Sequence, residues 1–294
     1  MNKNILIKIC DFSAYLVMRI LAFILLSTLA LCQEIKVLIS KGRVEYFDTA
    51  WHKVNVGQVL RDGTIVRLSD SSYVALVAGS RAMEFKKAGI YRVTKSEYQP
   101  SPYMSKYSGY VLNQAIASGA GRSTGKTLGA VSRTTLAPIV HTPPNTKFFS
   151  DSILLSWERI PNANRYLVYI KNEHGQNIDT LSSESNEISH RITHSQYSRR
   201  YYFSVAMERY PTIMSSPVGF TVLGARETDS LKKALNCLMD EIDLNTCIGR
   251  LLVMEFFIEH QLYGYGLVML RDILLHCPIV YEEAYSIYLS AVRH

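Results

Sequence analysis

Motifs for metal binding are absent from this sequence. Its five cysteines form no Cys-x-x-Cys pair, so a structural zinc site is not expected. The acidic cluster in residues 240–243 lacks the spacing of a calcium loop. His190 and His194 share one side of a predicted strand with Glu187 nearby, but polar residues on the solvent-exposed side of a sandwich explain these three better than a metal does. We therefore predict no metal and no other cofactor.

The sequence also lacks a large net charge. The formal net charge is +7 over 294 residues, and no Lys/Arg block is interleaved with aromatic residues, as nucleic-acid binding would favour. Serine, histidine and aspartate residues are scattered along the chain without a nucleophile-elbow sequence, the local motif of one large class of hydrolases. We predict that the protein binds no nucleic acid and is not an enzyme.

One short stretch imitates a nucleotide-binding motif. "AGRSTGKT", residues 120–127, fits the loose phosphate-loop pattern. A working phosphate loop follows a strand and opens a helix, so that backbone N–H groups point at the phosphates. Here helix or coil precedes the stretch and Pro138 follows soon after it. We interpret the match as chance in a linker and predict no nucleotide.

The start of the chain is typical of an export signal. Basic residues precede an apolar run over 20–31, as in a secretory signal peptide. We predict residues 1–32 as the signal, cleaved after Cys32, and an exported, periplasmic protein. An uncleaved anchor or a lipid on Cys32 are the alternatives, and either would hold the chain at the membrane on the periplasmic side. Met1 and Met18 are rival start positions.

Residues 33–95 are predicted to form an all-β domain. Runs such as "EIKVLIS", "TIVRLS" and "SYVALVA" alternate with turns rich in Gly, Asp and Ser. With a first turn at Gly42 and Trp51 after it, the stretch "VGQVLRDGTIVRLSDSSYVALV" resembles the FecR domain, an all-β module found outside the bacterial cytoplasm. The glycine-leucine-glycine order of that family is kept at Gly57, Leu60 and Gly63.

The FecR resemblance brings a signalling role into consideration. The best-known proteins with this domain relay a signal from an outer-membrane receptor to a cytoplasmic sigma-factor system. They carry a cytoplasmic regulatory segment and a membrane span before the domain. No such segment precedes the apolar run here, so we keep relay only as an alternative.

Residues 96–141 change character. "SPYMSKYSGYVLNQAIAS" predicts one short helix with Tyr107, Val111 and Ala115 on one side and Tyr110 beside them. The following "GAGRSTGKTLGAVSRTTLAP" is rich in Gly, Ser and Thr and poor in large apolar residues, which indicates a flexible linker.

Residues 142–224 return to β-structure. Short strands from "SILLSWERI" to "VGFTVL", with turns at regular intervals, predict a β-sandwich. The segment resembles a fibronectin type III or related immunoglobulin-like domain, with Trp157 in the second strand, Tyr166 opening "YLVYI" and the late-strand pattern "YYFSV". The family's Leu-x-Pro-Gly is missing, which leaves the topology open. We predict Trp157 as a core residue.

Residues 225–294 switch to a helical period. A helix after Ser230 and further helices near 246–260, 262–276 and 280–292 are predicted. "CIGRLLVMEFFIEHQLYGYGLVMLRDILLHCP" resembles one tetratricopeptide repeat. A single unit is below the roughly three repeats that such proteins need for stability, so we expect it to lean on the sandwich or on a partner.

That resemblance implies a groove for a partner on the first helix of the repeat. The groove positions match Ile248, Leu251, Glu255, Ile258 and Glu259. The two glutamates would favour a basic segment. The alternative is that a neighbouring helix simply buries the apolar residues and that the glutamates are solvated.

Three cysteines remain beyond the signal: Cys237, Cys247 and Cys277. In an oxidising compartment an odd number leaves at least one thiol unpaired. Cys237 and Cys247 flank "LMDEIDLNT", and we predict a disulfide between them that joins neighbouring helices.

Taken together, the segments predict a mainly β, multidomain, non-catalytic interaction protein of the cell envelope. The expected partner is an envelope protein, with outer-membrane proteins included. The alternative is a cell-wall glycan stacked on exposed aromatic residues. An aromatic platform on one face would favour the glycan, and an exposed apolar patch beside the helices would favour a protein. The aromatic candidates are Tyr46, Trp51, Tyr103, Tyr107 and Tyr110.

Overall fold

The computed structural model describes residues 34–78, 81–94, 106–113, 137–149, 152–192 and 198–292. Within these ranges no helix combines the length and apolar character that crossing a membrane requires. The predicted signal peptide, the phosphate-loop imitation at 120–127 and the glycine-rich linker lie outside the described residues.

The first β unit is built from two four-stranded antiparallel sheets that enclose a small aliphatic core. One sheet, the closed sheet, has the order β4–β1–β6–β7, and the other, the open sheet, has the order β3–β2–β5–β8. The core between them contains Val37, Val44, Val66 and Leu76. The strands are β1 (Ile35–Lys41), β2 (Val44–Phe47), β3 (Trp51–Lys53), β4 (Val59–Leu60), β5 (Ile65–Leu68), β6 (Tyr73–Ala78), β7 (Arg81–Phe85) and β8 (Gly89–Arg92).

The turn between β1 and β2 depends on Gly42. Its φ is +72°, in the left-handed region that favours glycine. A Cβ at this position would lie 2.6 Å from Ser72 Oγ, and that hydroxyl accepts a hydrogen bond from Arg43 N at 3.0 Å. The turn therefore requires glycine for both its conformation and its close approach to the neighbouring loop.

The second β unit is a sandwich with its own core. A two-stranded sheet, β10–β13, faces a larger sheet of order β12–β11–β14–β16–β9, in which β15 also pairs with β14. Trp157, Tyr166, Phe203 and Phe220 fill the space between them, and Trp157 is a core residue as predicted. The strands are β9 (Thr146–Phe148), β10 (Ile153–Ser156), β11 (Tyr166–Asn172), β12 (Asn177–Ser183), β13 (Glu187–His190), β14 (Arg199–Met207), β15 (Tyr210–Met214) and β16 (Val218–Val222).

The remaining elements are helical, so the prediction of a β-rich chain of several sheets with a helical C-terminal region is confirmed. Helix α3 is buried on nearly every side, as its almost uninterrupted apolar sequence requires. Thr246 caps its start by accepting a hydrogen bond from Gly249 N at 3.1 Å. The helices are α1 (106–113), α2 (Ala225–Glu241), α3 (Cys247–Glu259), α4 (Tyr263–His276) and α5 (Tyr281–Val292), with a 3₁₀ turn at Pro278–Val280.

The helices share a core with the closed sheet of the first β unit. Tyr73, Ala75 and Val77 of β6 belong to the same cluster as the apolar residues of α3. Glu84 of β7 reinforces this contact, since its Oε2 accepts hydrogen bonds from Tyr73 Oη and from the backbone N of Cys247, both at 2.9 Å. A carboxylate at the first residue of α3 also complements the helix dipole.

The helices also contact the second β unit, mainly through the start of α4. Gly264 N donates to Thr146 Oγ1 at 2.9 Å, and Tyr265 Oη donates to the carbonyl of Ser152 at 3.0 Å. The Tyr265 ring packs on Phe148 and Phe149. The helical region therefore packs against both β units.

The predicted disulfide is wrong in its pairing. Cys247 is bonded to Cys277, with a Cα–Cα distance of 5.5 Å, and among the described residues Cys237 is not disulfide-bonded. The reason is the antiparallel packing of α3 and α4, which brings the first residue of α3 beside the residue that caps the end of α4. Cys237 lies within α2, one helix earlier.

Candidate partner-binding surfaces

The predicted groove on α3 is occupied by the chain itself. Ile248 and Leu251 are fully buried and Ile258 is 8% exposed. Helix α1 contacts the end of α3 at Phe256, Glu259 and His260. Its Tyr107 and Val111, both 1% exposed, belong to the same apolar cluster as Ile248 and Leu251. The alternative, in which neighbouring elements bury these apolar residues, therefore describes them, and α1, from the segment between the two β units, belongs to the same cluster.

The two predicted glutamates differ in exposure, since Glu255 is buried and the Glu259 side chain is 24% exposed. Glu259 Oε1 lies 2.5 Å from Lys106 Nζ of α1, so this glutamate already pairs with a basic residue of the chain itself. Next to this ion pair, Tyr107 Oη lies 3.3 Å from His260 Nε2, and the Tyr107 ring packs against Phe256. These contacts fix the start of α1 over the end of α3.

Glu255 is the most perturbed carboxyl group in this contact. Its residue is 5% exposed, and burial, together with the charge of Glu259, raises its pKa to about 7. In the described part of the chain its Oε2 makes no hydrogen bond. Burial also lowers the pKa of His260, so both groups favour their neutral forms. No catalytic arrangement is needed to explain either direction.

The outer face of the open sheet carries apolar side chains that no other described element covers. Strand pairing aligns Trp51, Phe47 and Ile65 in one row across three strands, and Ile90 lies in the next row. Phe47 is 42% exposed and Ile90 is 66% exposed. None of these four belongs to an apolar core cluster. We name them the open-face residues.

Basic side chains surround the open-face residues. The Arg67 guanidinium lies 4.2 Å from the centre of the Trp51 ring and 2.6 Å from Glu45 Oε2. The hydrogen bond from Arg67 is the main cause of a lowered pKa of Glu45; burial opposes it, and the hydrogen bond from Arg43 adds to the lowering. Lys53 and Arg92 are exposed on the same face. One carboxylate is therefore shared among several cations.

A second exposed apolar surface lies on α4. Val268 is 45% exposed, Leu274 is 47% exposed and Leu275 is 76% exposed. Val268 and Leu275 are seven residues apart and share a helix face, because two turns of helix separate them. On the side of α4 opposite Val268 and Leu275, Leu270 and Ile273 are buried in the helical core, and Leu274 lies at the edge between the two sides. We name Val268, Leu274 and Leu275 the α4 surface.

A polar cleft of about 600 Å³ opens on the second β unit. Its wall includes His190, whose Nε2 lies 2.9 Å from Asp179 Oδ2, and the basic residues Arg199 and Arg200. Glu187 lies three positions from His190 and so faces the other side of the strand. His194 lies outside the described residues, and within them no group of three metal-binding side chains occurs.

Sequence reasoning identified the buried surface and missed the two exposed ones. It placed Ile248, Leu251, Glu255, Ile258 and Glu259 together, and the structure does bring them to one side of α3. It named Trp51 among the aromatics but not Phe47 beside it. The alternation of "VEYF" and "TIVRL" carried the missing signal, because every second residue of a strand lies on the same face.

Comparisons with known proteins find likenesses among solved structures, several of which are fibronectin type III domains. No protein-family model and no curated protein matches the chain. The crystal structure of FN3tt is 15% identical, covering 30% of this chain and 89% of its own, with a TM-score of 0.21. The fibronectin(III)-like modules of Clostridium thermocellum CbhA are 9% identical, covering 66% and 82%, with a TM-score of 0.22. Domains d3–d4 of the rat CD45 extracellular region are 12% identical, covering 60% and 72%, also at 0.22. With TM-scores this low, the sandwich assignment rests on the strand pairing itself.

Proposed function

We propose that this chain is a non-catalytic scaffold protein of the bacterial cell envelope that binds a protein partner. The observation that carries the proposal is the α4 surface, an exposed apolar patch on a helix whose opposite side is fixed in a core. Large exposed apolar side chains grouped on a rigid element are typical of interaction sites. The partner binds there in this proposal, because the apolar residues of the predicted groove on α3 are already buried within the chain.

Export is part of the proposal. It rests on the predicted signal at residues 1–32, and the Cys247–Cys277 bridge supports it. Disulfides persist in oxidising compartments such as the periplasm and are rare in the cytosol.

We also propose a family relationship for each of the three units. A FecR-like first unit is supported by positive φ angles at Gly42, Gly57 and Gly63, where the family's turn glycines match. A tetratricopeptide-like hairpin is supported by the antiparallel pair α3 and α4. Its small position, Gly266, is buried, and a Cβ there would already contact Tyr288 at 3.4 Å. A fibronectin type III-like second unit is supported by its two sheets around Trp157.

The test is affinity capture from envelope extract with the full chain and its Leu275→Glu variant. Deleting the C-terminal helices would be unsuitable, because α3 shares its core with the closed sheet. Ile178→Glu is the matched control, since Ile178 is 46% exposed on the second β unit. We expect a stoichiometric protein partner with the wild type and with Ile178→Glu, and its loss with Leu275→Glu. Capture unaffected by Leu275→Glu would contradict the assigned surface.

A further inference from the structure

We propose that the outer face of the open sheet is a second docking surface, which binds an acidic, partly apolar segment of a partner protein. The inference goes beyond the proposed function, because it names a different surface and the chemistry of its ligand. The open-face residues belong to none of the apolar core clusters in the described part of the chain.

The open-face side chains have no evident role in the stability of the first β unit. Across the same strands, the inward positions Val44, Val66 and Leu68 are at most 3% exposed and fill the core. An outward position on a half-exposed sheet is normally polar. Phe47 and Ile90 instead expose large apolar surface to solvent, so their presence points to burial against another molecule.

The open face also carries an excess of positive charge. Lys53, Arg67 and Arg92 lie on this face together with a single acid, Glu45, which Arg43 also contacts at 3.2 Å. The excess of positive charge complements carboxylates and opposes a basic ligand. Aromatic residues and arginine are also the residue types most enriched at the centres of protein interfaces.

The geometry of the aromatic rings favours a protein segment over a glycan as the ligand. A sugar strand stacks on open and roughly coplanar aromatic faces, but the Phe47 and Trp51 ring planes are inclined by 60°. The Arg67 guanidinium already covers one side of the Trp51 ring. The arrangement is therefore a poor platform for sugar rings and a preformed site for side chains that combine carboxylates with apolar groups.

The experiment uses the emission of Trp51 in the full chain. The sequence contains two tryptophans, and Trp157 is fully buried in the other β unit, so a ligand on the open face changes the emission of Trp51 alone. The probe is a short glutamate-rich peptide that carries phenylalanine and leucine but no tryptophan. A peptide with lysine in place of glutamate and soluble polygalacturonate are titrated in parallel.

We expect the glutamate peptide to change the emission saturably and more weakly at high salt, and the other two probes to leave it unchanged. Arg92→Glu and, independently, Lys53→Glu should weaken peptide binding by about tenfold. The matched control Arg159→Glu, an exposed arginine on the second β unit, should weaken it by less than about twofold. Trp51→Phe should abolish the emission change.

Three results would overturn the inference: no response to the glutamate peptide, an equal response to the lysine peptide, or an equal loss in Arg159→Glu. Binding of polygalacturonate in place of the peptide would assign the face to an anionic glycan instead. Leu275→Glu should bind the peptide as the wild type does. Failure of the proposed function at the α4 surface is thereby distinguishable from failure of this inference.

Discussion

The two sheets of the first β unit use apolar residues in different ways. In the closed sheet every residue of β6 is buried. Val74 and Leu76 face the core between the two sheets of the first β unit, whereas Tyr73 and Ala75 face the helices. In the open sheet only the inward residues are buried. Its outward face nevertheless carries residues as apolar as Phe47, Trp51 and Ile90.

This difference shows how to separate packing from recognition within one small domain. An apolar residue with neighbours on its own face contributes to stability, and the amount follows the area that it buries. An apolar residue on an uncovered face contributes little to stability. Substitutions on the two sheets should therefore have opposite profiles: loss of stability in the closed sheet and loss of binding in the open one.

The largest effect is expected from Ala75→Asp. Ala75 is fully buried between the closed sheet and the helices, so an aspartate would place an unpaired carboxylate in an apolar core. We expect a loss of about 4 kcal/mol in the free energy of unfolding, measured by chemical denaturation. Ile90→Asp on the open sheet should change it by less than about 0.5 kcal/mol. Comparable losses in the free energy of unfolding for both variants would contradict the difference between the two sheets.

The disulfide should stabilise the helices that cover the closed sheet. Cys247 and Cys277 enclose a loop with a sequence separation of 30, and replacing both by serine should cost about 3 kcal/mol in the free energy of unfolding. Hydrogen exchange should then become faster in β6 but not in β5. Cys237→Ser is the control and should leave both strands unchanged. Faster exchange in β5 alone would be inconsistent with this arrangement.

A pH dependence is expected from Glu255, on the side of α3 covered by α1. Because the folded pKa of about 7 lies above the ordinary value of 4.5, the folded chain holds this proton more tightly than the unfolded chain. Stability is then fully present below the ordinary pKa and falls as pH rises through 7. Lys106, Glu259 and His260 face the same region.

Glu255→Gln should remove that decline and exceed the wild type at pH 8 by on the order of 2 kcal/mol. Denaturation curves at pH 5 and pH 8 measure the difference. Glu282→Gln, an exposed glutamate on α5, is the control. A wild type equally stable at both values would show that Glu255 is not protonated in the fold.

The smallest effect is expected at the link between the closed sheet and α3. Glu84→Gln keeps the shape of the side chain but removes its charge from the hydrogen bonds to Tyr73 and the N–H of Cys247. We expect a loss of about 1–2 kcal/mol in the free energy of unfolding. Glu45→Gln on the open sheet should lose less. An equal effect would mean that the link adds nothing to the contact.

Local sequence patterns predicted the elements well where short-range physics decides them. The third helix was expected near 246–260 and spans Cys247–Glu259, because Thr246 caps it and a turn with positive φ at Gln261 follows it. The fourth was expected near 262–276 and spans Tyr263–His276. The predicted apolar side of α1 was also right for Tyr107 and Val111, whereas Tyr110 is 41% exposed.

Long-range contacts explain what the sequence did not reveal. The ion pair between Lys106 and Glu259 joins residues far apart in the chain. No local sequence pattern specifies that α1 packs against α3. The cysteine pairing required the antiparallel packing of α3 and α4. The repeat resemblance already implied that packing, because it placed Cys247 and Pro278 at the two ends of one hairpin. The open face was missed because alternation shows that two faces exist, not which of them another element covers.

The most direct test of the central claim is site-specific photo-crosslinking in living cells, with a photoactivatable phenylalanine analogue in place of Phe47. The same analogue in place of Ile178 provides the exposed control. We predict a covalent adduct with one envelope protein at position 47 and none at position 178. Absence of an adduct at position 47, or equal adducts at both positions, would contradict the claim that the open-face residues serve recognition.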